Sequence, residues 1–235
     1  MSTASRYQHL RSELDEECNK AGRDPQEVLL LAVSKTVDLD QVALAIEAGA
    51  TAFGENRPDE LLRKSSAFPQ VEWHFIGNIQ SRRIPDIVSA STLIHSVCKE
   101  AHLSKIDSAA EKIGKCQRLL LEVNVSGEES KSGFSPDEVE GILERAVGLS
   151  HISIEGLMTM APQGKEEAIV ATFSGLERLR DNLQVRLQNK GISCHLSALS
   201  MGMTEDWRSA VGFGTTIVRV GRAIFSDEFE QRTTV

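Results

Sequence analysis

Short apolar runs alternate with longer amphipathic stretches along almost the whole chain. Apolar runs of about four to eight residues bounded by turn residues read as buried strands, and apolar positions recurring every three to four residues read as helices laid over them. Eight candidate strands follow: residues 29–34, 52–53, 73–76, 93–96, 119–125, 152–157, 194–199 and 216–220. Helical patterns fill the intervals at 39–48, 59–64, 84–89, 99–113, 136–148, 166–189 and 204–211. A further amphipathic helix over about 5–21 precedes the first strand and ends at Gly22, a residue suited to a helix C-terminus. It is expected outside the sheet or across its base. Ser135-Pro136 followed by Asp137 and Glu138 predicts a helix start, with the acids near the positive end of the helix dipole.

Strand and helix alternating eight times in 235 residues predict an α/β fold of one kind, a (β/α)₈ barrel with an extra N-terminal helix, whose active-site residues gather on the loops after the strands. No Ser/Gly-rich linker or composition shift divides the chain, so residues 1–235 are expected to form a single domain. An open doubly wound sheet would want a glycine-rich turn after its first strand, and Ser34-Lys35-Thr36 is not one.

Composition narrows the partners. A net charge of −8 and a pI near 5.3, with no long basic run, argue against nucleic acid held by phosphate neutralisation. The longest apolar runs are strand-length and the amino terminus lacks an apolar core, so neither a membrane span nor a secretory signal is expected, and the chain is placed in the cytoplasm. The four cysteines, Cys18, Cys98, Cys116 and Cys194, form no CxxC pair and no zinc-like set with the histidines, which implies reduced thiols and no metal. Cys194 and His195, adjacent on a strand, would point to opposite faces.

Barrel closure would bring the strand ends together: Lys35, Asn56, His74, Asn124, Met158, Ser200, Arg219 and Gly221. Lys35 closes the run after the first strand. An amine there is either a solvated loop residue or, held among apolar walls, a nucleophile toward carbonyls. The loops at 199–204 and 219–223 offer backbone N–H groups beside Gly202 and Gly221, either as ordinary turns or as a phosphate cradle of the kind barrels build after their last two strands. A carbonyl-reactive amine beside a phosphate site suggests an aldehyde cofactor carrying a phosphate, and pyridoxal 5′-phosphate fits both.

Seven motifs run in order from residue 32 to residue 221: Ala32-Val33-Ser34-Lys35-Thr36, Phe53-Gly54-Glu55-Asn56, Trp73-His74-Phe75-Ile76-Gly77, Ser130-Lys131-Ser132-Gly133, Gly156-Leu157-Met158, Leu199-Ser200-Met201-Gly202-Met203 and Val218-Arg219-Val220-Gly221. In these the chain resembles the YggS/PROSC family of pyridoxal phosphate homeostasis proteins. The resemblance implies a fold-type III barrel similar to the N-terminal domain of alanine racemase, with pyridoxal phosphate held as an aldimine on Lys35. It implies cofactor contacts from Asn56, His74, Met158, Ser200, Met201, Gly202, Arg219, Gly221 and Arg222, with Arg219 facing the pyridine nitrogen and Lys131 as a second amine for transient capture. Family members hold, buffer or deliver the cofactor in vitamin B6 and amino-acid homeostasis, with no established turnover reaction. Apo pyridoxal-phosphate enzymes would be partners, and several members are monomers. The alternative is a fold-type III amino-acid racemase, which would want a tyrosine base, and Tyr7 is the only tyrosine here. The chain departs from the family pattern at Arg222, commonly threonine, at Ser226, usually glycine, and at Pro58-Asp59, more often Val-Gln.

Overall fold

The computed structural model describes residues 1–227 and 229. Eight parallel strands close in sequence order into a barrel: β1 (Leu29–Val33), β2 (Ala52–Glu55), β3 (Glu72–Phe75), β4 (Leu93–Val97), β5 (Gln117–Glu122), β6 (Ile152–Met158), β7 (Ala198–Met203) and β8 (Ile217–Val220). The last strand pairs with the first, Arg219 standing opposite Leu31. Helices α1 (Thr3–Lys20), α2 (Leu39–Glu47), α3 (Pro58–Ala67), α4 (Ile84–Ala90), α5 (Glu100–Lys112), α6 (Val139–Ala146), α7 (Glu166–Asn189), α8 (Trp207–Val211) and α9 (Arg222–Phe225) surround it.

Period-two alternation divides each strand between two cores. In β1, Leu29 and Leu31 enter the lumen with Ala52, Leu93, Leu120, Met158 and Ile217, whereas Leu30 and Ala32 join the larger core under the helices. The luminal apolar set is small. Polar side chains complete the filling, and His74, His95, Ser200 and Arg219 are all buried there.

Helix α1 starts from a Ser2 cap, packs against α2, α8 and α9, and is fastened by Arg6, whose Nε donates to the Ile224 carbonyl at 2.8 Å. Its Tyr7 adjoins Leu29, Thr51 and Thr216 at the amino-terminal ends of the strands, the base of the barrel. Ser135 and Glu138 form a reciprocal capping box around a single 3₁₀ turn, so α6 begins at Val139 rather than at 136.

Two strands differ from the sequence expectation in ways that move site residues. The seventh is Ala198–Met203, not 194–199, because its register with β6 places Ala198 opposite Gly156 and Ser200 opposite Met158. Ser200 therefore lies inside the barrel. Gly202, at φ +93°, lets β7 bulge against β8, and a Cβ there would stand 2.8 Å from the Ala210 Cβ and 2.9 Å from the Trp207 Cα. The fifth strand ends at Glu122, and Asn124 braces the following loop, its Nδ2 donating to the Glu128 carbonyl at 2.9 Å and its Oδ1 accepting from the Gly127 N–H at 3.1 Å. Asn124 is thus a loop residue, not a strand-end wall.

Candidate functional site

At the carboxyl ends of the strands a cavity of about 610 Å³ opens, within the range of small-molecule pockets. Lys35, Asn56, Met158, Arg219, Gly221 and Arg222 all line it, bringing together six of the ten expected contacts. His74 and Ser200 lie deeper, on β3 and β7, within hydrogen-bonding reach of their luminal neighbours. Met201 points the other way, into the core under the helices, and Gly202 packs on α8. The β7 bulge instead turns Met203 into the mouth, together with Thr204, Glu205 and Asp206.

Lys35 stands exposed at the rim, but the strand end that presents it is anchored from behind. Lys64 of α3 donates to the Ser34 carbonyl at 2.7 Å and to Glu55 Oε1 at 2.6 Å, and the Ser34 hydroxyl donates to that same oxygen at 2.7 Å. Both charges are completely buried. Asn56 is set by a similarly close approach, because a Cβ on Gly77 would collide with the Asn56 carbonyl oxygen.

Arg219 is 5% exposed, donating to the Ser200 hydroxyl at 2.7 Å and to the Thr159 carbonyl at 3.0 Å. Burial pulls its pKa down to about 10, with Asp206 and Glu122 opposing, so it remains a cation at neutral pH. Burial pushes both of those carboxyls up, and the charge of Arg219 pulls each back toward ionisation. Asp206 also accepts from the Met203 N–H, which removes that amide from any phosphate cradle. Burial lowers the pKa of His74 and, further, that of His95. These imidazoles are neutral in the fold, so as pH falls below their ordinary value of about 6.5 the unfolded chain takes up protons first and stability declines.

Among the described residues no group of three or more His, Cys, Asp or Glu is arranged to hold a metal ion, and no helix is long and apolar enough to cross a membrane.

The family model for the alanine racemase N-terminal domain matches residues 7–228. A protein of Aquifex aeolicus named a pyridoxal phosphate homeostasis protein is 34% identical over 230 residues, covering 97% of this chain and 99% of its own. The chain belongs to the YggS/PROSC family of pyridoxal phosphate homeostasis proteins. PipY of Synechococcus elongatus PCC7942, solved with pyridoxal phosphate bound, is 31% identical, with a TM-score of 0.82 over 96% of this chain and 100% of that one. An alanine racemase of Streptomyces coelicolor, 17% identical with a TM-score of 0.72, shares the fold, and the match covers 58% of its length.

In this homeostasis-protein barrel, sequence reasoning missed His95, Met203, Asp206 and Lys64. His95 carried a usable signal: it alternates with Leu93 on a predicted barrel strand, which places an imidazole in the lumen. Lys64 carried none, since it closes a helical pattern in the way a surface lysine would.

Proposed function

We propose that this chain binds pyridoxal 5′-phosphate at the barrel mouth, covalently through Lys35, and that it holds the cofactor and delivers it to apo-enzymes rather than turning over a substrate. In this reading it acts in the cytoplasm as a single-domain monomer in vitamin B6 and amino-acid homeostasis. The observation that carries the proposal is the convergence of Lys35, Arg219 and the loops after β7 and β8 on one cavity of suitable size, in a chain whose relative PipY was solved with that ligand.

When bound, the cofactor supplies an aldehyde for condensation with amines and a pyridine ring that can act as an electron sink. The residues present fit the first use better than the second. Arg219 can only donate, so a ring nitrogen set against it accepts and stays unprotonated, which weakens the sink. Tyr7, the only tyrosine, lies at the base of the barrel, away from the mouth where a racemase would need its base. Asn56 and Met158 would border the ring, and the amides near Gly221 would meet the phosphate.

Arg222 supplies the charge at the phosphate end. It spans the two loops to Glu205 at 2.7 Å, an exposed pair that contributes little to stability. Arg222→Ala is expected to weaken cofactor binding by at least about tenfold, the worth of one charge-assisted hydrogen bond. Glu205→Ala should tighten binding by releasing the guanidinium. Absorbance titration with pyridoxal phosphate reads both, and an unchanged Kd in Arg222→Ala would remove Arg222 from the site.

The proposal as a whole is tested by reconstitution. The protein with pyridoxal phosphate should acquire a visible absorption band that borohydride abolishes, with the added mass on a peptide containing Lys35. Incubated with a panel of amino acids, the loaded protein should produce no steady turnover above the rate of free cofactor. Absence of the band would refute binding, and sustained turnover would refute the carrier role.

A further inference from the structure

The polar residues of the lumen form a single column. Arg219 Nη1 lies 2.7 Å from Ser200 Oγ, Ser200 Oγ 2.9 Å from His95 Nδ1, His95 Nε2 3.0 Å from His74 Nδ1, and His74 Nε2 3.2 Å from Glu72 Oε2. Five residues from β8, β7, β4 and β3 thus connect the mouth to the base, where Glu72 is half exposed. At the base Arg118 of β5 stands 3.9 Å from Glu72 and pairs with Glu155 of β6 at 2.9 Å. Near the mouth the charged neighbours of Arg219 are Glu122 and Asp206. The first two strands contribute Leu29, Leu31, Val33, Ala52 and Gly54 to this interior, none of them titratable.

The ends of the column fix every hydrogen within it. A guanidinium only donates and a carboxylate only accepts. Ser200 therefore accepts from Arg219. With neutral imidazoles, His74 must carry its hydrogen on Nε2 to meet Glu72, which leaves its Nδ1 as an acceptor. His95 must then donate from Nε2 and accept at Nδ1, and the Ser200 hydroxyl hydrogen fills that acceptor. The opposite polarity would set a bare His74 nitrogen against the Glu72 carboxylate. One proton inventory satisfies all four contacts. A proton added to His74 forces His95 into its other tautomer and leaves the Ser200 hydroxyl hydrogen without its acceptor.

We propose that His74 and His95 are positioning residues for Arg219, their column aiming the remaining guanidinium donors at the ring-nitrogen end of the bound cofactor. The inference rests on the reading of the mouth as a pyridoxal phosphate site. The column is an alignment device and not a proton conduit. Shifting every proton toward the base would leave neutral arginine and protonated glutamate, the reverse of their acid strengths.

Two measurements test it. Imidazole ¹⁵N resonances of the unliganded protein between pH 6 and 8 should show both His74 and His95 as neutral Nε2–H tautomers; a charged ring or an Nδ1–H tautomer overturns the column, whatever the cofactor does. In the reconstituted protein, Ser200→Ala and His95→Phe should still form the borohydride-sensitive bond at Lys35. Their cofactor affinity should fall about tenfold, as for loss of a hydrogen bond to a charged group, and the pH midpoint of the visible band should move. Ser200→Thr, which keeps the hydroxyl, should restore the wild-type midpoint. Variants that unfold at lower temperature yet keep the wild-type affinity and midpoint would reduce these residues to packing and overturn the proposal. Failure of the wild-type protein to form any band refutes the cofactor site and leaves the tautomer result to stand or fall alone.

Discussion

Lys35→Ala is expected to eliminate the borohydride-fixable bond to pyridoxal phosphate completely while leaving the barrel folded. Among the described residues Lys35 is the lysine that lines the cavity, and its side chain is exposed at the rim, so its removal disturbs no packing. Its neighbours are otherwise engaged. Lys64 is buried against Glu55, and Lys131 donates to the Met160 carbonyl at 3.2 Å beside Glu128. With the loops after β7 and β8 and Arg219 intact, the variant should still bind the cofactor reversibly, with the spectrum of the free aldehyde. Borohydride reduction followed by peptide mass mapping checks this. A label that persists in Lys35→Ala and maps to Lys131 would move the attachment to the loop after β5, and a label on neither would confirm Lys35.

Much of this arrangement was legible because a parallel barrel imposes strong patterns. The run 29–34 is apolar on both faces, as a strand between lumen and helices must be, so the place of Lys35 at its end followed from the sequence. Arg219 and Gly221 were placed correctly for the same reason: β8 starts within one residue of the predicted run and ends with it. Ser200 and Met201 were not. Their placement depends on where β7 starts against β6 and on a bulge at Gly202, and neither the register nor the sign of a glycine φ is written in local hydropathy. His74 was expected at the rim although the predicted run 73–76 already continued past it; it is the third residue of β3 (Glu72–Phe75) and lies in the lumen, one residue short of the strand end. Its partner His95 comes from the neighbouring strand, and no periodicity within one strand shows that two imidazoles will meet at 3.0 Å.

The least legible feature, the pair Lys64–Glu55, also has the largest expected effect on stability. Twenty-one residues separate Ser34 from Glu55 and thirty separate Ser34 from Lys64, so only the closed barrel with α3 laid on β2 and β3 brings the three together. Both charged side chains are completely buried, and Glu55 Oε2 has no hydrogen-bond partner, so all compensation for its desolvation runs through the other oxygen. Removing one member strands the other in the core. Glu55→Leu or Lys64→Met is therefore expected to lower the unfolding free energy by about 3–5 kcal/mol, as in other buried pairs that lose a partner. The double variant Glu55→Leu/Lys64→Met should lose much less than the sum, since no uncompensated charge remains. Denaturant unfolding of the four proteins closes the cycle, and single losses below about 1 kcal/mol would show that water reaches the pair. The double variant also separates stability from function. It lacks the ammonium that holds the Ser34 carbonyl, so the segment presenting Lys35 is released while the barrel stays folded. Slower formation of the borohydride-fixable bond in that protein would assign the Lys64–Glu55 pair, which holds both the carbonyl and the hydroxyl of Ser34, the task of keeping Lys35 in place, and a wild-type rate would confine the pair to stability.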